Sequence, residues 1–248
     1  MRVLKLILFT ALLPVFAAAK EYKASLFGIL SDGVTNNTRS IQKAIDFIHE
    51  QGGGQLVFYV GRYVTGGVQL KSNVTIKLEE GAVLVGAPSV YDYNSSGRIR
   101  AIISADGQQN IGISGKGVIE GNALSLMANV AVLQQNGYLR SQDFVRPALM
   151  GFTNCSNIKI DSVNLWNGSG KAQVFDACSD VVVETVNISS KQVGGTGGIR
   201  LLASKNVLIK DTFIDVALQP YIEGSKNNQS IRVDRAIDPA GKLLSVSE

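Results

Sequence analysis

The chain has 248 residues, enough for one elongated domain with a continuous core. Its 24 Lys and Arg against 20 Asp and Glu leave a formal charge of +4, too small an excess for nucleic-acid binding, which needs a concentrated basic patch. One histidine and two cysteines supply no ligand set for a metal site, and no cofactor is expected.

Residues 1–19 read as a secretory signal. Arg2 and Lys5 form the charged start, an apolar stretch covers residues 6–16, and Ala17-Ala18-Ala19 is a cleavage site before Lys20. The apolar stretch is shorter than the ~20 residues a membrane span requires. The mature protein, residues 20–248, is therefore expected as a single domain that is secreted, periplasmic or extracellular, with no membrane span after cleavage. Losing Arg2 and Lys5 lowers its formal charge from +4 to +2.

Residues 38–49 place Ile41, Ala44, Ile45 and Ile48 on one helical face, with Thr38 or Ser40 as cap and Gly52-Gly53-Gly54 as terminator. Strand-like runs follow at residues 55–60, 64–70, 74–78 and 83–85. Gly115-Lys116-Gly117 lacks the frame of a phosphate loop and reads as a turn, and Asp32-Gly33 lacks the later acid of a calcium loop. Residues 124–146 break the strand rhythm and read as a partly helical insertion.

The remainder repeats a phrase. Asn157-Ile158-Lys159-Ile160, Asp180-Val181-Val182-Val183, Asn206-Val207-Leu208-Ile209 and Ser230-Ile231-Arg232-Val233 start 23, 26 and 24 residues apart. That period with strand alternation predicts stacked coils of a solenoid, in which one coil buries nothing alone. The expected ladders are Ile158, Val181 and Val207; Ile160, Val183 and Ile209; Val163, Val186 and Thr212; Leu165, Ile188 and Ile214. A further strand precedes each copy, at residues 148–152, 171–175 and 197–201. The fold class is thus all-β, a right-handed parallel β-helix whose short N-terminal helix caps an otherwise open core. Leucine spacing for a horseshoe is not seen. Cys155 and Cys178 occupy equivalent places in successive coils; two buried free thiols are expected, although stacked backbones about 4.8 Å apart also admit a disulfide. The chain stops without an evident C-terminal cap, which reads as a possible truncation.

An ordered series of motifs resembles a known family. Phe27-Gly28-Ile29-Leu30-Ser31-Asp32-Gly33, Thr38 to Ile45, Gly52-Gly53-Gly54, Gly61-Arg62-Tyr63-Val64-Thr65-Gly66, Leu70-Lys71-Ser72-Asn73-Val74-Thr75, Ile113-Ser114-Gly115-Lys116-Gly117-Val118-Ile119-Glu120-Gly121 and Arg146-Pro147 are similar to the polygalacturonase-like glycoside hydrolases, family 28. The resemblance covers residues 25–226 and implies the β-helix and a pectin-derived galacturonide substrate. It also implies inversion by aspartic acids, with carboxylates about 6.5–9.5 Å apart around a water. Those acids fall here on Gly197, Leu218 and Gln219, so no catalytic residue is assigned.

The leading expectation is a secreted, catalytically degenerate member associated with pectin and galacturonide metabolism, its partner an acidic polysaccharide or oligogalacturonide. Lys171, Gln173, Arg200 and Gln219 are the candidate substrate-binding residues, on segments that carry the active site in the family. If Ile199 and Leu201 point inward, Arg200 points out, where a guanidinium can grip a carboxylate. The alternatives are an active hydrolase or pectin lyase using replacement residues such as Glu223, Asp215 or Asp176, and a non-catalytic fragment of a split gene.

Overall fold

The computed structural model describes residues 20–93 and 99–247, so the expected export signal lies outside them. Three parallel sheets run the length of the tube. Sheet A contains Glu21–Lys23, Gly54–Phe58, Val74–Leu78, Gln109–Ser114, Ser156–Asp161, Ser179–Glu184, Lys205–Lys210 and Gln229–Asp234. Sheet B contains Asp32–Asn36, Gly61–Thr65, Ala82–Gly86, Val118–Glu120, Asn164–Trp166, Asn187–Ser190 and Phe213–Val216. Sheet C contains Val68–Gln69, Ala101–Asp106, Ala148–Thr153, Lys171–Asp176, Gly197–Leu202 and Ile222–Glu223. From Ala101 onward the chain visits C, A and B in turn before starting the next coil, which makes a right-handed parallel β-helix.

The ladders stand where alternation puts them. Leu56, Ile76, Ile113, Ile160, Val183 and Ile209 are in register along sheet A, and all are fully buried. Leu165, Ile188 and Ile214 do the same in sheet B. Each such side chain contributes roughly 1.5–3 kcal/mol on burial, but only once a neighbouring coil covers it. The polar opening of each phrase also has a cause. Asn73, Asn110, Asn157, Asp180, Asn206 and Ser230 all adopt left-handed backbone angles, between 51° and 67° in φ, a conformation Asn and Asp tolerate best. Asn110 donates to Asn73 at 2.9 Å and Asn157 to Asn110 at 2.7 Å, so the turn residues form their own polar ladder.

Helix α1, Thr38–Glu50, closes the N-terminal end with Ile41, Ala44, Ile45 and Ile48 buried. Neither Thr38 nor Ser40 caps it. The position before the helix is Asn37, whose amide is committed to Leu30, and the Thr38 hydroxyl accepts from the Gly66 N–H at 2.7 Å. Helix α2, Ala123–Gln135, is the expected insertion, placed at the corner between sheets B and C. At the other end, residues 236–247 return over the last coil: Ile237 bridges to Phe213, Ser247 bridges to Glu223, and Leu244 and Val246 pack against the core. Sequence reasoning saw no cover there because this segment shares no phrase with the coils.

Cys155 and Cys178 are buried free thiols. Contact with Cys155, reinforced by burial, pushes the Cys178 thiol up. No helix among the described residues is long and apolar enough to cross a membrane.

Candidate ligand groove on sheet C

Sheet C presents an outward row in register: Gln69, Ser104, Gly151, Val174, Arg200 and Glu223. Ile199 and Leu201 are buried, and Arg200 between them faces out, as alternation requires. Lys171 stands opposite Gly197 on the neighbouring strand. Its side chain lies across the glycine, since a Cβ at Gly197 would fall 2.5 Å from Lys171 Cδ and 2.7 Å from Nζ. An ammonium thus occupies the space above the position where the family resemblance expects an acid.

Glu223 joins the two cations. Its Oε2 lies 2.7 Å from Lys171 Nζ and its Oε1 lies 3.0 Å from Arg200 Nη2. Burial opposes the negative charge, but hydrogen bonds from Lys171 and Arg200 outweigh it and hold the Glu223 carboxyl below its ordinary value of 4.5. Beside this trio a groove of about 270 Å³ is lined by Arg100, Arg146, Lys171, Arg200 and Asp176, with Ile99 at its edge. Arg146 Nη1 donates to the carbonyls of Ser169, at 3.1 Å, and of Gly194. Among the described residues no carboxylate lies within ion-pair distance of Arg100 or Arg146. The groove is therefore cationic and suited to an anionic ligand.

The candidate residues divide. Lys171 and Arg200 meet at Glu223. Gln173 does not join them: it pairs in register with Met150 and Ile199, its side chain is fully buried inside the tube, and neither amide atom has a partner there. Lys171 lines the groove and Gln173 is buried in the tube although they are two residues apart, which strict alternation does not anticipate. Gln219 lies exposed in the turn between Phe213–Val216 and Ile222–Glu223, joined to Pro220 by a cis peptide, and does not line the groove. Leu218 is exposed in the same turn. Of the replacement acids, Asp215 is paired with Lys191, and Asp176 lines the groove. Sequence reasoning missed Arg100, which precedes a strand it did not recognise. It quoted Arg146 only for its likeness to a motif; the usable signal was that Arg100 directly precedes a sheet C strand and Arg146 lies two residues before the next one.

Stacked coils, a cationic groove on the outer face of sheet C and a motif series in order define a parallel β-helix protein. The sequence profile of glycosyl hydrolases family 28 matches residues 57–218, and the chain belongs to that family. A solved structure from Parabacteroides merdae, described only as a glycosyl hydrolase, is 40% identical, with a TM-score of 0.83 over 92% of this chain and 100% of that one. The exo-poly-alpha-D-galacturonosidase of Dickeya chrysanthemi is 34% identical over 43% of this chain and 20% of its own length. The family 28 exopolygalacturonase of Yersinia enterocolitica has the same fold, with a TM-score of 0.76 at 23% identity over 84% of this chain and 45% of that one. The chain thus spans less than half of these two galacturonide-named relatives.

Proposed function

We propose that this chain is an exported, hydrolytically inert member of family 28 that holds acidic oligosaccharides, with galacturonides the first class to test. One observation carries the reading: Lys171 covers Gly197, and Glu223 ties it to Arg200. Hydrolysis by inversion needs a protonated acid and a second carboxylate that activates water. Glycine supplies neither, and the nearest carboxyl, Glu223, is held ionised by its two cations and is a poor proton donor near neutrality. Loss of one positioned acid or base costs about 10²–10⁴ in rate.

The same cations favour binding. A uronate carboxylate can take the place of Glu223 between Lys171 and Arg200, and Arg100 and Arg146 add positive potential along the groove. Gln173 and Gln219 have no part in this contact. The names of the Dickeya and Yersinia relatives support galacturonide as the sugar. Residues 1–19 support export, and residues 20–248 are taken as one domain.

The test is mature protein with polygalacturonate and with defined oligogalacturonides. Neither reducing ends nor unsaturated product should form, and calorimetry should detect acidic oligomers binding more tightly than neutral ones. Arg200→Ala should weaken that binding about ten-fold, because a charge-assisted hydrogen bond contributes about 1.5–3 kcal/mol and ~1.4 kcal/mol is a factor of ten. Turnover abolished by Glu223→Gln or Asp215→Asn would instead establish a hydrolase with replacement acids.

A further inference from the structure

We infer that the outward face of helix α2 is a contact surface for a second copy of this chain, packed helix on helix about a two-fold axis at Ala128. Charged side chains make up 18% of the chain, yet residues 121–139 hold none. Helix α2 lies inside that stretch. Its inward face is the stripe Leu126, Val130 and Leu133, packed on the core. Its outward face is the stripe Leu124, Ala128, Ala131 and Val132, all exposed, with Leu124 at 56% and Val132 at 54%. A surface helix of a globular protein carries polar and charged residues on its outer face, whereas one that is apolar all round is covered on both sides. Tyr138 extends the apolar surface beyond the helix: its ring is exposed, and its carbonyl accepts from the hydroxyl of Tyr91, also exposed, at 3.3 Å.

Two properties of this face select a second copy as its occupant. The first is electrostatic. Across a two-fold axis a surface meets itself, so any charge near the axis faces its own kind, and such juxtaposition is costly. A face without charge escapes that cost. The second is shape. Leu124, Ala128 and Val132 stand four residues apart and form a ridge of the kind that interdigitates with its like at about −50°. At the period of the helix Ala128 falls in the middle of the outward face, opposite the buried stripe. A small residue at the crossing lets the axes approach toward the ~8 Å end of the usual range. The two-fold then sets Leu124 against Val132 of the second copy on either side of the crossing, where the helices diverge and there is room for larger side chains. Area sets the strength. A helix of this length is about 20 Å long and ~10 Å across. Even with the tyrosines added, that footprint falls short of the ~800 Å² per partner of a standard stable complex, so the dimer is reversible and depends on concentration.

Sedimentation velocity of the mature protein, from about 1 μM to about 1 mM, should show monomer giving way to dimer as concentration rises. Ala128→Glu and Ala128→Lys each oppose like charges across the axis, and each alone should weaken association at least ten-fold. An equimolar mixture of the two should recover it, because residue 128 then meets its opposite. That recovery is specific to a two-fold contact centred on this residue. Should thermal melting find either variant unstable, Leu124→Gln serves in its place and should weaken association about ten-fold. A monomer at every concentration overturns the proposal, as does a dimer that these variants leave intact or a mixture that stays monomeric. If that monomer instead binds phosphatidylcholine vesicles, and Ala128→Glu abolishes the binding, the face belongs to lipid and not to a second copy. No glycan enters the experiment, so its outcome and that of the acidic-glycan reading are decided separately.

Discussion

Sheets A and C are built from the same coils, yet they differ in almost every respect that matters. Sheet A carries eight strands, an unbroken apolar ladder inside and an asparagine-rich ladder at its entry turns. Sheet C carries six strands, an interior glutamine, an outward glycine and the four cations of the groove. Regularity in sheet A lets each coil satisfy its neighbours, so that wall supplies stability. Irregularity in sheet C breaks packing locally, and the breaks are where a ligand can be held. The lesson is that chemistry in a solenoid sits where the repeat is disobeyed.

The sharpest way to break this contrast is to attack the interior under both walls. Phe152 and Phe175 stack with ring centroids 5.6 Å apart in successive coils. Phe175→Ala should cost about 3–5 kcal/mol in urea unfolding, as large aromatic deletions in packed cores do. A loss below about 1 kcal/mol would mean that coils tolerate voids and that the ladder is not the source of stability.

The interior glutamine should respond in the opposite direction. Its amide is buried without partners, and each unsatisfied group costs about 1–3 kcal/mol. Gln173→Met, similar in volume, should therefore raise stability by about that amount. It should leave acidic-glycan affinity unchanged, because residue 173 faces the tube and not the groove. A fall in affinity would return Gln173 to the ligand site.

Glu223 sharpens the comparison from the groove side. As the carboxylate already seated between Lys171 and Arg200, it competes with a ligand carboxylate, so Glu223→Gln should tighten digalacturonate binding, about ten-fold by calorimetry. Its titration has a sign that can be checked. Because the folded-state carboxyl titrates below 4.5, its ion pairs contribute fully above that pH and are lost as pH falls through the lower value. Over that interval the urea midpoint of the wild type should drop more steeply than that of Glu223→Gln. Parallel curves would show that the trio contributes nothing to folding.

The smallest effect expected is on the thiols. Cys155 and Cys178 are both buried, which shields them from reagent, and Cys178 is in addition pushed up in pKa. A thiol reagent should label neither in the folded protein and both after unfolding. Rapid labelling of the native state would show that these coils open locally.

The sequence by itself determined the solenoid, the ladders through Ile160 and Leu165, the capping helix and the outward direction of Arg200. These are consequences of period: alternation and repeat length act over a few residues and need no distant partner. It also exposed Gly197 as a place where an expected acid is missing. Only the tertiary structure decided what stands in that place. Lys171 precedes Gly197 by a full coil and Glu223 follows it by another, and stacking alone brings the three together. The same holds for Gln173, which is buried in the tube while Lys171, two residues earlier, reaches the groove, and for residues 236–247, which cover the last coil without sharing its phrase. Arg100 and Arg146 became legible only once their strands lay side by side. Side-chain direction within a strand is local, whereas which side chains share a groove depends on register between coils, and register is set by packing along the whole tube.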